Sequence, residues 1–160
     1  MMIGAITALV PAISGLIVFL NPLRRKAATA TSVRVASLNA LPENGDPVKF
    51  PVLAEREDAW NRTPNVPVGA VYLRRLEGDR VQALNVVCPH AGCFVDYLRS
   101  DRAYHCPCHN SHFALDGSIA DPNSPSPRPL DELPVEIRND GEIWVGFQNY
   151  RAGEEGKIPV

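Results

Sequence analysis

Two short segments concentrate the chemistry of this chain: Cys88-Pro89-His90-Ala91-Gly92-Cys93 and Cys106-Pro107-Cys108-His109-Asn110-Ser111-His112-Phe113. Each offers one cysteine and one histidine at loop spacing, Cys88 with His90 in the first and Cys106 with His109 in the second. Each also carries a second cysteine, Cys93 or Cys108. Thiolate and imidazole together suit iron–sulfur or zinc chemistry, and two further cysteines suit a crosslink. Two thiolates on one iron and two imidazoles on the other is how a mixed-ligand 2Fe–2S site would be written, and that replacement of thiolates by imidazoles raises the reduction potential.

Residues 91–105, between His90 and Cys106, are enough for two loops joined by a short hairpin with their tips brought together. Each iron would then take equivalent ligands from both loops: Cys88 with Cys106, and His90 with His109. Cys93 and Cys108 remain, one per loop. Paired, they would staple the loops across the cluster if their Cα atoms come within about 4.4–6.8 Å. Two competing readings stand beside this one. Two cysteines and two histidines also bind zinc tetrahedrally, although zinc ribbons do not usually need an extra cysteine in each ligand loop. A plain disulfide domain with incidental histidines leaves unexplained why both histidines sit at matching places. His105 and His112 read as solvated loop or strand residues, not as ligands.

The two segments resemble the first and second cluster loops of the Rieske proteins of cytochrome bc-type quinol oxidases. Ser124-Pro125-Ser126-Pro127 resembles the proline loop that covers the cluster in that family, and the resemblance extends over residues 70–147. It implies a Rieske-type 2Fe–2S cluster held by Cys88, His90, Cys106 and His109, with a Cys93–Cys108 disulfide. It makes His109 the quinol-contacting ligand and His90 the second exposed imidazole. Ser111 stands at the place of a serine that hydrogen-bonds a bridging sulfide. Phe113 stands where high-potential members have a tyrosine that bonds a cysteine sulfur, a bond phenylalanine cannot make. A lower potential follows, which suits a low-potential donor such as menaquinol. Asn110 replaces the usual glycine, and asparagine tolerates positive φ better than most residues; Ala91 replaces a bulkier leucine. The function implied is that of the electron-transfer subunit of a quinol:cytochrome c oxidoreductase. It takes one electron from quinol at a cytochrome b subunit and hands it to a c-type cytochrome. As the redox subunit of an enzyme complex, it turns nothing over alone. The alternative is the Rieske subunit of an arsenite-oxidase-type enzyme or another exported Rieske carrier. Rieske ferredoxins and oxygenase domains normally lack the second cysteine pair.

The rest of the chain must position those loops. It has 160 residues, a formal net charge of −2 and fifteen prolines. No basic field points to nucleic acid. The expected class is mostly β: an antiparallel β-sandwich Rieske domain over 33–150, with an inserted cluster-binding subdomain at about 86–129. Gly69–Leu76 and Val81–Val87 flank the turn Glu77-Gly78-Asp79, and Val135–Arg138 and Glu142–Phe147 flank Asn139-Asp140-Gly141, both hairpin signals. Ala103–His105 is a short strand leading into Cys106, and Phe113–Ile119 turns at Asp116-Gly117. Residues 54–62 have room for one or two helical turns. Trp60 and Trp144 read as core or interface packing residues, and 151–160 reads as a loose tail.

Residues 1–22 read as a transmembrane anchor. Met1–Leu20 contains no charge and is long enough, at about 30 Å of helix, to span a bilayer core. Asn21-Pro22 should end the helix, and Arg24-Arg25-Lys26 mark the interface. The alternative is a cleaved signal peptide, but a basic n-region is absent and the apolar run exceeds the usual length. Residues 23–32 read as a flexible tether. The positive-inside rule would place the three basic residues, and the domain after them, in the cytoplasm. A disulfide argues for the opposite, periplasmic-type side, as does the family resemblance, and these two decide the expectation.

Overall fold

The computed structural model describes residues 2–24, 30–57 and 60–160, with side chains over 9–20, 30–55 and 60–160. Helix α1 spans Met2–Arg24. Among its described side chains, Leu9, Val10, Ile13, Leu16, Ile17, Val18 and Phe19 are all exposed. The expected stop at Asn21-Pro22 is passed by less than a turn: a proline in the last turn forfeits one hydrogen bond but does not end the helix there. Among the described residues, no helix is long and apolar enough to cross a membrane. Most of the expected tether, including Arg25 and Lys26, lies outside the described residues.

The remainder is antiparallel β. Strands β1 (Thr31–Ser37), β10 (Glu142–Phe147) and β9 (Val135–Arg138) form one sheet in that order. Strands β2 (Val48–Glu57), β3 (Arg62–Arg75), β4 (Val81–Asn85) and β8 (Glu132–Leu133) form a second. A third, smaller sheet is built from β5 (Asp96–Leu98), β6 (Ala103–Cys106) and β7 (Ser111–Phe113). Both expected hairpins form, and their turn chemistry explains why. Gly78 and Asp79 take positive φ between β3 and β4, as Asn139 and Gly141 do between β9 and β10; glycine and asparagine reach that region most cheaply.

Side chains alternate across a strand, and β3 and β4 use both faces. Val71, Leu73 and Ala83 join Leu41, Val52, Leu133, Ile143, Val145 and Phe147 in a core between the first and second sheets. Their immediate neighbours Tyr72 and Leu84 join a second core with Val86, Val95, Tyr104, Phe113 and Leu130, and this core also contains Cys88 and Cys106. The second sheet is therefore the middle layer of three. Gly69 lets β10 close on it: a Cβ there would come within 2.3 Å of the Phe147 ring.

Three expectations change. Residues 54–57 are not helical but continue β2, paired from Ala54↔Val66 to Glu57↔Arg62; the ladder overrides the local preference of Glu55-Arg56-Glu57. Trp60 is 91% exposed at the end of this long hairpin, not packed in a core. Trp144 is half-buried, with its Nε1–H donating to Glu142 at 3.2 Å and the Arg138 guanidinium 4.5 Å from its ring centroid. Residues 151–160 are not loose: Arg151 N–H donates to Ile158 O at 2.8 Å, Val160 N–H to Asn149 O at 3.1 Å, and Tyr150 bridges to Pro159.

One buried polar residue joins the layers to the loop that follows β4. Asn85 is fully buried. Its Nδ2 donates to Gln148 O (3.1 Å) and Asn149 Oδ1 (3.0 Å), and its Oδ1 accepts from Val87 N–H (3.0 Å). Removing this amide strands buried partners, each at about 1–3 kcal/mol. Asn85→Ala should therefore lower unfolding free energy by about 2–4 kcal/mol, read as a lower urea midpoint with an unchanged slope.

Candidate metal centre

The two cysteine–histidine segments are loops at the ends of strands. β4 runs through the Asn85 turn into Cys88, and the loop closes on itself: Cys88 N–H donates to Cys93 O at 2.7 Å and Gly92 N–H to Cys88 O at 3.0 Å. Gly92 has φ +80°, a conformation this tight reversal requires. An isolated bridge, Val87↔Phe94, closes the base of the loop. The second loop is the β6–β7 connection. There Asn110 has φ +56°, so the asparagine adopts the left-handed conformation at the place where a glycine was expected. Its Oδ1 lies 3.3 Å from His105 Nε2. His105 and His112 face each other across β6 and β7, half-buried, with ring centroids 4.5 Å apart.

Cys93 and Cys108 are disulfide-bonded, with a Cα–Cα distance of 6.6 Å. The bond joins the two loops directly. Cys88 and Cys106 are free and buried beneath it. Burial pushes the Cys88 thiol up from its ordinary pKa, and the neighbouring Cys106 adds to this. The backbone N–H of His90 and the Ser111 hydroxyl pull the other way. On the loop tips, the imidazoles of His90 and His109 meet edge to face with centroids 4.7 Å apart; His109 is exposed and His90 half-buried. The sulfur atoms of Cys93, Cys106 and Cys108 lie within 4.8 Å of one another. Because two of them are bonded together, only Cys106 of that trio has a thiolate to offer a metal.

Beneath the loops is an aromatic floor. Tyr104 lies 5.0 Å from Tyr72 and 5.6 Å from Tyr97, ring centroid to ring centroid. Tyr104 pairs with Phe113 across β6 and β7, and both are fully buried. Burial pushes the Tyr104 hydroxyl well above its ordinary pKa, and the group stays neutral. Tyr72 reaches from the middle sheet to the third: its hydroxyl donates to Val95 O (3.3 Å) and accepts from Tyr97 N–H (3.0 Å). The sequence reading missed Tyr72. It also missed Arg128, just past Ser124-Pro125-Ser126-Pro127, which forms a buried pair with Asp131 at 2.8 Å. The available signal was an arginine among prolines with a carboxylate three residues on.

Several atoms of this site lack a protein partner. His90 Nδ1 is buried with no hydrogen bond, and Ser111 Oγ is buried and meets no full hydrogen bond despite its nearness to Cys88. Buried polar atoms are normally satisfied. Two buried thiols, an inward imidazole nitrogen and a hydroxyl donor together fit an iron–sulfur group, whose iron favours thiolate and imidazole and whose sulfide accepts a hydrogen bond.

Comparison with known proteins agrees with this geometry. The chain matches the Rieske [2Fe-2S] domain over residues 31–135. It is 30% identical over 129 residues to the menaquinol:cytochrome c reductase iron-sulfur subunit of Geobacillus thermodenitrificans, covering 79% of this chain and 73% of that one. It is 28% identical over 130 residues to the protein of the same name from Bacillus subtilis (strain 168), covering 79% and 74%. The apo crystal structure of a quaternary ammonium Rieske monooxygenase superposes with a TM-score of 0.50 at 20% identity, over 79% of this chain and 34% of that one, a likeness of fold alone. With the domain match spanning well over half its length and two disulfide-joined Cys/His loops at its tip, this chain belongs to the Rieske [2Fe-2S] domain family.

Proposed function

We propose that this protein is the Rieske electron-transfer subunit of a quinol:cytochrome c oxidoreductase. It would take one electron from a quinol beside a cytochrome b subunit and pass it to a c-type cytochrome. The observation that carries this reading is the pair of imidazoles at the loop tips, His109 exposed and edge to face with His90, above two buried free thiols. The reading is supported by the two menaquinol:cytochrome c reductase subunits that the chain resembles over most of its length.

In this reading Cys88 and Cys106 would hold one iron, and His90 and His109 the other. When bound, the cluster supplies a one-electron redox centre of moderately high potential. The chain's residues do the rest. His90 turns its buried Nδ1 inward, which leaves Nε2 as the nitrogen that holds or releases a proton. Metal coordination at one ring nitrogen makes the N–H on the other more acidic. His109, exposed at the tip of its loop, is placed to share a hydrogen bond with a quinol hydroxyl. Ser111, whose buried hydroxyl lies near Cys88, would lower the electron density on sulfur by donating a hydrogen bond. The Cys93–Cys108 bond keeps the two ligand loops from separating.

The anchor belongs to the same proposal. Met1–Leu20 carries no charge, α1 covers it from Met2 onward, and the described apolar side chains between Leu9 and Phe19 are exposed. Such a helix would hold the head at a membrane, and the disulfide favours the outer, oxidising side. The segment between α1 and β1 would then act as the tether on which the head swings between its donor and its acceptor.

Two expectations test the site. Replacing any one of Cys88, His90, Cys106 or His109 by alanine should abolish the Rieske-type EPR signal of the dithionite-reduced protein and its two equivalents of acid-labile sulfide. His105→Ala and His112→Ala should leave both intact. A signal that survives in any of the first four variants refutes this ligand set. Phe113 is fully buried in the same core as Cys88 and Cys106, so Phe113→Tyr would add a hydroxyl donor to that core. One neutral hydrogen bond favouring the reduced state is worth roughly 0.5–1.5 kcal/mol, or about 20–65 mV for one electron. The midpoint potential should rise by that amount in a dye-mediated titration, and an unchanged value removes Phe113 as a determinant of potential.

A further inference from the structure

The C-terminal segment lies across the outside of the first loop. Gly153 N–H donates to Pro89 O at 2.8 Å. A Cβ on Gly153 would sit 3.7 Å from His90 O, and one on Gly92 would sit 4.0 Å from the Cβ of Ala152. The two backbones are thus in van der Waals range along residues 89–92. The segment's own hydrogen bonds close it into a hairpin, but they do not hold it down.

Lys157 fastens its far end, with Nζ donating to Glu132 O at 3.3 Å, and Gln148 Nε2 donates to Val160 O at 3.1 Å; at residues 151–154 a guanidinium does the same. Arg128 is 5% exposed. Its Nε and Nη2 donate to Asp131 Oδ1 (3.1 Å) and Oδ2 (2.8 Å), while its Nη1 donates to the carbonyls of Arg151 (3.2 Å) and Glu154. Its own carbonyl accepts from Ser126 Oγ at 2.8 Å, which ties it to the end of the proline loop. Lys157 Nζ lies 3.9 Å from Asp131 on the exposed side. Connection therefore runs from the proline loop through Arg128 to residues 151–154, from Gly153 to the first loop, and through the disulfide to the second.

A buried ion pair is a poor source of stability, because desolvation of both charges cancels most of their attraction and an apolar pair of similar volume does as well or better. What this pair supplies is direction: a rigid fork of donors that fixes residues 128–131 and 151–154 against one another. We propose that Arg128 is a positioning residue for the first cluster loop, setting the placement of His90 by clamping residues 151–154 onto Pro89. The inference rests on the reading of His90 as a cluster ligand.

Arg128→Met/Asp131→Leu in the full chain tests it, since removing both charges leaves no unpaired buried carboxylate and the fold should hold, with a melting temperature near the parent's. In the cluster-free protein, amide exchange at Gly153 and at residues 88–93 should accelerate by roughly tenfold or more, the equivalent of one lost hydrogen bond. In the cluster-loaded protein, iron release to a ferrous chelator should quicken roughly 10–100-fold, the usual effect of losing a group that orients a ligand. The EPR line shape and midpoint potential should shift with it, and a purely structural role would move none of these at constant melting temperature. Unchanged amide exchange overturns the clamp. Faster exchange with unchanged iron release, EPR spectrum and potential overturns the link to His90. A parent chain that shows no Rieske spectrum overturns the ligand reading instead, and the exchange data then decide the clamp by themselves.

Discussion

The bond between Cys93 and Cys108 is the constraint on which the site depends. Neither loop that it joins has a ladder of its own beyond the first residues: pairing stops at Val87↔Phe94 on one side and at Cys106↔Ser111 on the other. Past those points two tips carrying buried thiols and half-exposed imidazoles must stay in register without strand hydrogen bonds. A crosslink between positions separated by 15 residues removes about 3 kcal/mol of chain entropy from the unfolded state in the simplest model. Its geometric effect matters more here. It holds Cys88 and Cys106 in a space from which water is excluded, and there burial pushes the Cys88 thiol above its ordinary pKa.

Everything outward from that bond is support. Tyr72 carries the third sheet on the middle one through two hydrogen bonds to its backbone. Asn85 binds the end of β4 to the chain just after β10. The aromatic floor of Tyr72, Tyr97, Tyr104 and Phe113 fills the space under the loops. Each of these contacts joins segments far apart in sequence, so loops with little structure of their own inherit the rigidity of three sheets. That arrangement suits electron transfer, in which a rigid surround keeps the energetic cost of changing charge small.

The loops were legible in the sequence because chemistry needs particular residue types at particular spacings, and few other sites require Cys, His and a spare Cys twice. Both hairpin turns were legible for the same reason: Glu77-Gly78-Asp79 and Asn139-Asp140-Gly141 supply residues that reach positive φ. The long β2–β3 hairpin was obscured by Pro51, Pro64 and Pro67 and by the charges of Glu55-Arg56-Glu57, since its strands are set by pairing with each other and not by local pattern. Residues 151–160 looked unattached because their charges and glycines give them nothing to pack. What attaches them is a set of hydrogen bonds to distant residues, Arg128, Pro89, Glu132 and Gln148 among them, and long-range hydrogen bonds leave no periodic trace. Trp60 shows the converse: of the core or interface packing expected for it, its 91% exposure at a hairpin end excludes the core.

The middle sheet's double allegiance also bears on how such a protein can change over time. Successive side chains of β3 and β4 answer to different cores, so Tyr72 and Leu84, which pack under the redox loops, come from strands that also close the sandwich. The loop region is therefore not a portable cassette: moved to another sheet, it would arrive without Tyr72 and Leu84 beneath it. A substitution that re-seats the sandwich is transmitted to the redox end through the next residue along the strand, and a one-residue slip would exchange the two cores outright. Variation is free to accumulate at the rim and in the helix, while the two ends of the head are obliged to evolve together.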